Sequence, residues 1–353
     1  MSGLLEQLPP SPPSKTGWPW TEETDPALYS VRRDWPKISI VTPSYNQGIY
    51  IEETIRSILL QNYPNLEYII IDGGSTDNSV DIIRKYEKYL KFWISEPDRG
   101  QSHAINKGLA QASGDIFNWI NSDDYLAPSS LFEVAAEFER LPETKLLCGF
   151  GNVFEDNKVL PDFRYRTEIL DNVSETIIHE RLNQQGMFYS LKCIKKLGGV
   201  NESLNYVMDL ELWFRFLMKF GISDINLTNH TLGHFRYHSE SKTTKFEEIF
   251  REEAKQVFYF IFKQAKLPNE ILSVYEAKSV NYSPVNWSFK FLKSNDMLKA
   301  VSSKYLFDFY KQNHIEAAKQ AYIQQIKNGQ VKLNKAYLSL FFRLFYSKKA
   351  YGQ

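Results

Sequence analysis

The sequence predicts an α/β fold, a mostly parallel sheet with helices on both faces, followed by a C-terminal helical appendage. Three observations carry that expectation. Between residues 37 and 125, short apolar runs ending in Gly, Asp or Ser alternate with segments of helical period, as in successive βαβ units with right-handed crossovers. The strand runs are nearly continuous in apolar residues, as in sheets covered on both sides. Beyond Lys245 only helical periodicity remains.

Residues 1–36 contain Pro9, Pro10, Pro12, Pro13, Pro19, Pro26 and Pro36 with little apolar pattern, so they read as an extended arm without a core of its own, pinned by Trp18, Trp20 and Trp35. A first strand, Ile38 to Thr42, is halted by Pro43, and Tyr45-Asn46-Gln47-Gly48 turns into a helix with Ile51, Ile55, Ile58 and Leu59 on one face. Leu66 to Ile71 is a second strand ending in Asp72; the turn Gly73-Gly74-Ser75-Thr76-Asp77 leads to a helix with Val80, Ile83 and Tyr86 inward. Lys91 to Ser95 is a third strand, followed by Glu96-Pro97-Asp98-Arg99-Gly100 and a helix face of Ala104, Ile105, Gly108 and Leu109. The fourth strand, with Ile116, Phe117, Trp119 and Ile120, stops at Asn121-Ser122-Asp123-Asp124.

Further on, Leu131 to Phe138 reads as a helix, Lys145 to Phe154 as a strand, and residues 155–176 as a polar, irregular loop on the acceptor side. A short helix around Ile194 to Leu197 and one from Tyr206 to Lys219 follow, then a final short strand, Phe235 to His238. Helices are expected at Lys245 to Lys266, Tyr305 to Gln312, Ile315 to Ile326 and Ala336 to Tyr346.

Bulk composition excludes several classes. Lys plus Arg equal Asp plus Glu at 42 each, so no global field points to nucleic acid. Cys148 and Cys193 have neither zinc-site nor disulfide-framework spacing. No basic-then-apolar leader opens the chain and no long apolar run marks a membrane span, so a reducing, cytoplasmic setting is expected.

In open sheets of this kind ligands bind beyond the carboxyl ends of the strands. That rim gathers Asp72, Asp77, Asp98, Arg99, Asp123 and Asp124 with Gly73, Gly74 and Gly100. Neither a Gly-x-Gly-x-x-Gly fingerprint nor a Gly-x-x-x-x-Gly-Lys-Ser/Thr loop is present. Adjacent carboxylates at a strand end suit Mg²⁺ or Mn²⁺, with substrate phosphates completing the shell; a helix cap or turn is the competing reading of an isolated Ser-Asp-Asp. Asp209, at a helix start, is likewise open between a chemical role and simple charge-dipole stabilisation.

Taken in order, seven motifs resemble the family 2 glycosyltransferases, the inverting, bacterial-type family with the GT-A fold, a Rossmann-like arrangement. They are Val41-Thr42-Pro43-Ser44-Tyr45-Asn46, Ile71-Asp72-Gly73-Gly74-Ser75-Thr76-Asp77, Gly100 to Gly108, Trp119 to Asp124, Asn183-Gln184-Gln185, Met208 to Trp213 and Arg236-Tyr237-His238. The resemblance implies a GT-A catalytic domain over 37–245, with 246–353 as a helical region. It implies a hexosyltransferase that takes a nucleotide-diphosphate sugar, by default a UDP-sugar, and delivers the sugar to a carbohydrate or lipid-linked acceptor in polysaccharide, cell-envelope or glycolipid synthesis. It assigns Asp209 as catalytic base; Pro43, Tyr45, Asp72, Arg99, Asp123 and Gln185 to the nucleotide sugar, with Asp123 nearer the ribose; and Asp124 and His238 to a divalent metal, Mn²⁺ or Mg²⁺. Lys242 is a further phosphate candidate. The chain departs from the family pattern at Asn121 and His103, where relatives carry Asp, and at Met208, where many carry Glu.

Two rivals stand beside this expectation. A nucleotidylyltransferase needs a Gly-rich basic loop after the first strand, and the turn Ser44 to Gly48 has no Lys or Arg. A catalytically silent binding or scaffold protein would keep the fold without reason to keep Asp72, Asp124 and Asp209 together. For the aromatic and basic end of the chain two readings stay open: peripheral contact with an anionic membrane, or packing of that face on Val257 to Phe262.

Overall fold

The computed structural model describes residues 3–32, 34–155, 158–238, 245–276 and 282–346. Its centre is a nine-stranded sheet. Strands β1 (Ile38–Ser44), β2 (Leu66–Asp72), β3 (Phe92–Ser95) and β4 (Ile116–Trp119) run parallel in the order β3-β2-β1-β4. Helices α1 (Ile51–Leu59), α2 (Ser79–Tyr86) and α3 (Gln101–Gln111) make the crossovers. Register follows the pattern of apolar residues: Val41 lies between Ile69 and Trp119, and Ile38 between Leu66 and Ile116. Because side chains alternate along a strand, Ile38, Ile40, Tyr68 and Ile70 enter one core with α1 and α2, whereas Val41, Ile69 and Ile71 enter the other with α3. On that second face a Cβ at Gly108 would stand 2.4 Å from Val41 Cγ1, so α3 sits at this distance from β1 because residue 108 has no side chain.

Beyond β4 the sheet becomes mixed. The short β5 (Tyr125–Leu126) and α4 (Ser130–Arg140) precede β6 (Leu146–Glu155) and β7 (Lys158–Arg166), and α5 (Val173–His179) precedes β8 (Met187–Ser190). Then come α6 (Leu191–Leu197), α7 (Met208–Phe220) and β9 (Ile225–Arg236). The order continues β4-β8-β6-β9-β5, with β7 as an outer strand on β6. Here two expectations are corrected. Residues 155–176 are not an irregular loop, since β7 and the start of α5 lie in them, and the short strand at Phe235 is the end of a twelve-residue strand. Both misses have one cause: β7 and β9 are strands by virtue of pairing with β6, which local pattern does not report. Pro161 fits because β7 lies at an edge.

The arm is threaded along the α1 side of the sheet. Arg56 of α1, almost wholly buried, donates to the backbone carbonyls of Pro19 (3.1 Å), Pro9 (2.8 Å) and Trp20 (2.9 Å). Trp18 donates to the Leu126 carbonyl at 2.8 Å, and Trp20 and Trp35 are buried. After β9 come α8 (Glu247–Gln264), α9 (Asn269–Tyr275), α10 (Ser294–Lys311), α11 (Ile315–Lys327) and α12 (Lys335–Phe345). Phe258 of α8 packs on Phe214 of α7 with ring centroids 5.3 Å apart, so these helices extend the α3-side core. No helix among the described residues is long and apolar enough to cross a membrane.

Candidate functional site

The carboxyl ends of β1 and β2 are zipped together by their loops. Asn46 N donates to Ser75 Oγ (2.7 Å), Gln47 N to Ser79 Oγ (3.0 Å), Gly48 N to Asp77 Oδ2 (2.9 Å), and Thr76 N to Asn46 Oδ1 (2.8 Å). Burial works to raise the Asp77 carboxyl, but the hydrogen bonds from Ser79 and the Gly48 amide outweigh it and hold the group below its usual value. Asp72 is fully buried and accepts from Gly74 N (3.1 Å), Ser75 N (2.9 Å), Ser75 Oγ (2.5 Å) and Ser95 Oγ (2.7 Å). Both its oxygens help to shape the loop, at the place where the nucleotide base is expected. Tyr45, by contrast, leaves β1 with 61% of its surface exposed.

At the end of β4 the two adjacent carboxylates face opposite ways. Asp124 is buried; its Oδ1 accepts from Arg236 N (3.0 Å), its Oδ2 from Gln185 Nε2 (2.8 Å) and Asn121 Nδ2 (3.1 Å). Burial, then the charge of Asp123, push its carboxyl up to about 7 despite these three donors. Asp123 keeps 23% of its side chain exposed and sets Oδ2 3.1 Å from His238 Nε2. Asp124, expected as the metal ligand, is thus the inward member of the pair, and Asp123, expected nearer the ribose, the more exposed one. Tertiary donors decide which carboxylate turns in, and Gln185, expected at the donor sugar, is one of them. Asn121, where the family pattern has Asp, supplies an amide that a carboxylate could not.

Arg236 completes this floor. Its side chain donates to the Asp123 carbonyl (2.9 Å) and pairs with buried Glu53 of α1 (2.8 Å), between the rings of Tyr50 and Phe154. Sequence reasoning named Arg236 only as part of a motif and did not find Glu53, whose local context does not distinguish it from Glu52. His238 stacks near Tyr50 (4.8 Å between centroids), and its Nδ1 has no partner among the described residues.

Asp209 sits in the first turn of α7. The amides just ahead of that helix, those of Asn205, Tyr206 and Val207, all donate to the Glu253 carboxylate of α8, at 2.8–3.2 Å. The carboxylate that answers the positive end of α7 is thus Glu253. Among the described residues, hydrogen bonds to the Asp209 carboxylate come from its own backbone and Leu210 N (2.8 Å), and burial pushes the group up to about 6. The Tyr165 hydroxyl of β7 is raised first by burial and then by the charges of Asp124 and Asp209, which places it within electrostatic reach of both. No local signal flagged Tyr165, since its strand was not foreseen.

Of the other expected residues, Pro43 is buried in β1. Arg99 is 69% exposed and pairs with Glu202 at 2.6 Å. Its backbone N–H donates to His103 Nδ1 at 3.2 Å. Lys242 lies outside the described residues.

The profile of glycosyl transferase family 2 matches residues 39–191, from the first strand of the sheet to the end of β8. A protein of Mycobacterium tuberculosis (strain ATCC 25618 / H37Rv), named an uncharacterized glycosyltransferase, is 30% identical over 183 residues, 51% of this chain and 68% of its own length. The chain belongs to glycosyl transferase family 2. An uncharacterized glycosyltransferase of Rickettsia typhi is 29% identical over 214 residues, covering 59% of this chain and 66% of that protein, so the match stops short of two thirds of the relative. Among solved structures, S. aureus TarS 1-349 in complex with UDP-GlcNAc superposes with a TM-score of 0.55 at 17% identity, over 86% of this chain and 83% of TarS. At that identity the likeness establishes the GT-A fold alone.

Proposed function

We propose that this family 2 member transfers a sugar from a nucleoside diphosphate donor to an acceptor hydroxyl by a single displacement that inverts the anomeric carbon. One observation carries the reading. Asp209, a half-buried carboxylate whose described hydrogen bonds come from its own backbone and the Leu210 amide, is raised to about 6, with Tyr165 within electrostatic reach of both it and Asp124. A group titrating near 6 is ionised at neutral pH yet holds a proton more firmly than an ordinary aspartate, which suits a general base. In the proposed step Asp209 takes the acceptor proton as the acceptor oxygen bonds to the anomeric carbon. The bond from that carbon to the diphosphate oxygen breaks with its electron pair leaving on the diphosphate.

The outward pair fits a divalent cation. Two ligands about 2.1 Å from one octahedral ion and at right angles lie about 3.0 Å apart, and Asp123 Oδ2 and His238 Nε2 are 3.1 Å apart. One carboxylate and one imidazole would leave the other positions to substrate oxygens; no cluster of three or more acidic, His or Cys ligands occurs among the described residues. Bound there, Mg²⁺ or Mn²⁺ would neutralise charge on the departing diphosphate. Gln185 holds Asp124, the chain neighbour of Asp123, and the exposed ring of Tyr45 offers the base a stacking surface. A UDP-sugar is the donor assigned first, in keeping with TarS and UDP-GlcNAc, and a carbohydrate or lipid-linked hydroxyl the acceptor, in polysaccharide, cell-envelope or glycolipid assembly.

Thermal unfolding of the wild type with uridine, guanosine and thymidine diphosphates, with and without Mn²⁺, tests the donor half. A ligand at a hundredfold excess over its dissociation constant adds about 2.7 kcal/mol of apparent stability. The expected result is a metal-dependent rise with one base, absent in Asp123→Asn. No rise with any nucleotide would favour the silent scaffold.

A further inference from the structure

The C-terminal helices end in a surface unlike the rest of the molecule. Of the twelve large apolar side chains exposed among the described residues, six lie within residues 326–346: Ile326, Leu333, Leu338, Phe342, Phe345 and Tyr346. On α12, Leu338, Phe342 and Phe345 recur at i, i+4 and i+7 and form one stripe, with Phe342 58% exposed. Leu340 and Leu344 form the opposite stripe and are buried. Packing on that buried side runs through Tyr322 of α11 and Phe307 of α10, with ring centroids 5.2 Å apart for Phe307 and Tyr337 and 5.8 Å for Tyr322 and Phe341. The ring contacts of α12 therefore differ from the foreseen docking on Val257 to Phe262, and the apolar stripe remains outside.

Charge along the described part of this stretch is mostly of one sign: from Ala317 to Tyr346 there are five Lys and Arg and no Asp or Glu, in a chain whose totals are 42 and 42, with Lys319 paired to Glu316 just ahead of it. Lys327, Lys332, Lys335 and Arg343 are exposed around the stripe; Lys348 and Lys349 lie outside the described residues. The N-terminus of the helix is fixed by Asn334, whose side chain accepts from Tyr337 N at 3.1 Å, so the stripe is presented by an ordered element.

We propose that this face of α12 docks on an anionic lipid bilayer. Aromatic and aliphatic side chains would enter the boundary between headgroups and acyl chains while the surrounding cations meet phosphate groups. A second copy of the chain is the poorer occupant, because self-association would bring one all-basic rim against another. Docking places the catalytic sheet beside a membrane, where a lipid-linked acceptor hydroxyl would be found. The proposal itself depends on the α12 surface and stands whatever the donor is.

The test is flotation of the purified full chain with vesicles of phosphatidylcholine alone and of phosphatidylcholine mixed equally with phosphatidylglycerol, at low and high salt. Wild type is expected to partition about tenfold or more in favour of the anionic vesicles, and to be released by salt. Leu338→Glu combined with Phe342→Glu, both exposed positions, is expected to lose that binding while keeping the wild-type melting temperature. Equal partitioning of wild type between the two vesicle types, or no partitioning to either, overturns the proposal without reference to the variant. So does a dimer in sedimentation that the double substitution dissociates while vesicle binding is unchanged.

Discussion

Asp72, fully buried, and Asp209, partly buried, are both carboxylates at one end of the molecule's sheet, yet their surroundings are opposite. Four protein donors converge on Asp72, whereas Asp209 has its own backbone and the next residue's amide. At α7 the amides just ahead of the helix are taken by Glu253 of the neighbouring helix. The difference separates two uses of a buried acid. Surrounded by donors, it organises a loop; deprived of them, it is left with unsatisfied affinity for a proton.

The largest expected effect breaks the Asp209 side. Asp209→Asn should lower turnover by about 10²–10⁴-fold with donor binding retained, since a general base contributes roughly that factor; steady-state kinetics and the nucleotide thermal shift measure the two halves. The same variant should be more stable than wild type by roughly 1–3 kcal/mol at neutral pH. The sign follows from a folded value of about 6 against an ordinary 3.8. Ionised Asp209 costs stability, the cost is fully present above pH 6, and it disappears as pH falls below the unfolded value. Denaturant unfolding at pH 7.5 and pH 3.5 should show the gap at the higher pH and lose most of it at the lower.

On the other side, Asp72→Ala should cost about 2–4 kcal/mol of stability, because the Ser95 and Ser75 hydroxyls and two amides lose their acceptor in a buried place. An unchanged melting temperature would show that water replaces the carboxylate and that the contrast is weaker than drawn. The smallest effect sharpens the comparison. Glu253→Ala should cost about 1–2 kcal/mol and, by freeing amides near Asp209, move the acid limb of the pH-rate profile downward; an unmoved limb would show that Glu253 serves α7 only as a fastener.

How much of this was legible depended on how local the cause was. The parallel strands β1, β2 and β4 could be placed because burial on both faces writes itself into continuous apolar runs, and the rim followed from the strand ends. Asp123 and Asp124 were found as a pair, but their orientation was not: it is set by Gln185, 61 residues away, and by Arg236, 112 residues away. Strand β7, and with it Tyr165, depends on pairing with β6 and has no private pattern. Exposed Phe342 and buried Leu344 look equally apolar in sequence; only the position of α11 separates them.

Arg56 has a consequence for how this chain tolerates change. It holds the amino-terminal arm through the carbonyls of Pro9, Pro19 and Trp20, groups that every amino acid possesses. The residues of the arm can therefore drift widely provided the path of the main chain is kept, while the residue that grips them has little freedom. Lysine, with a single ammonium in place of a planar fork, could not span the three carbonyls. Variation among descendants should accordingly be concentrated on one side of this contact, in the segment that is held.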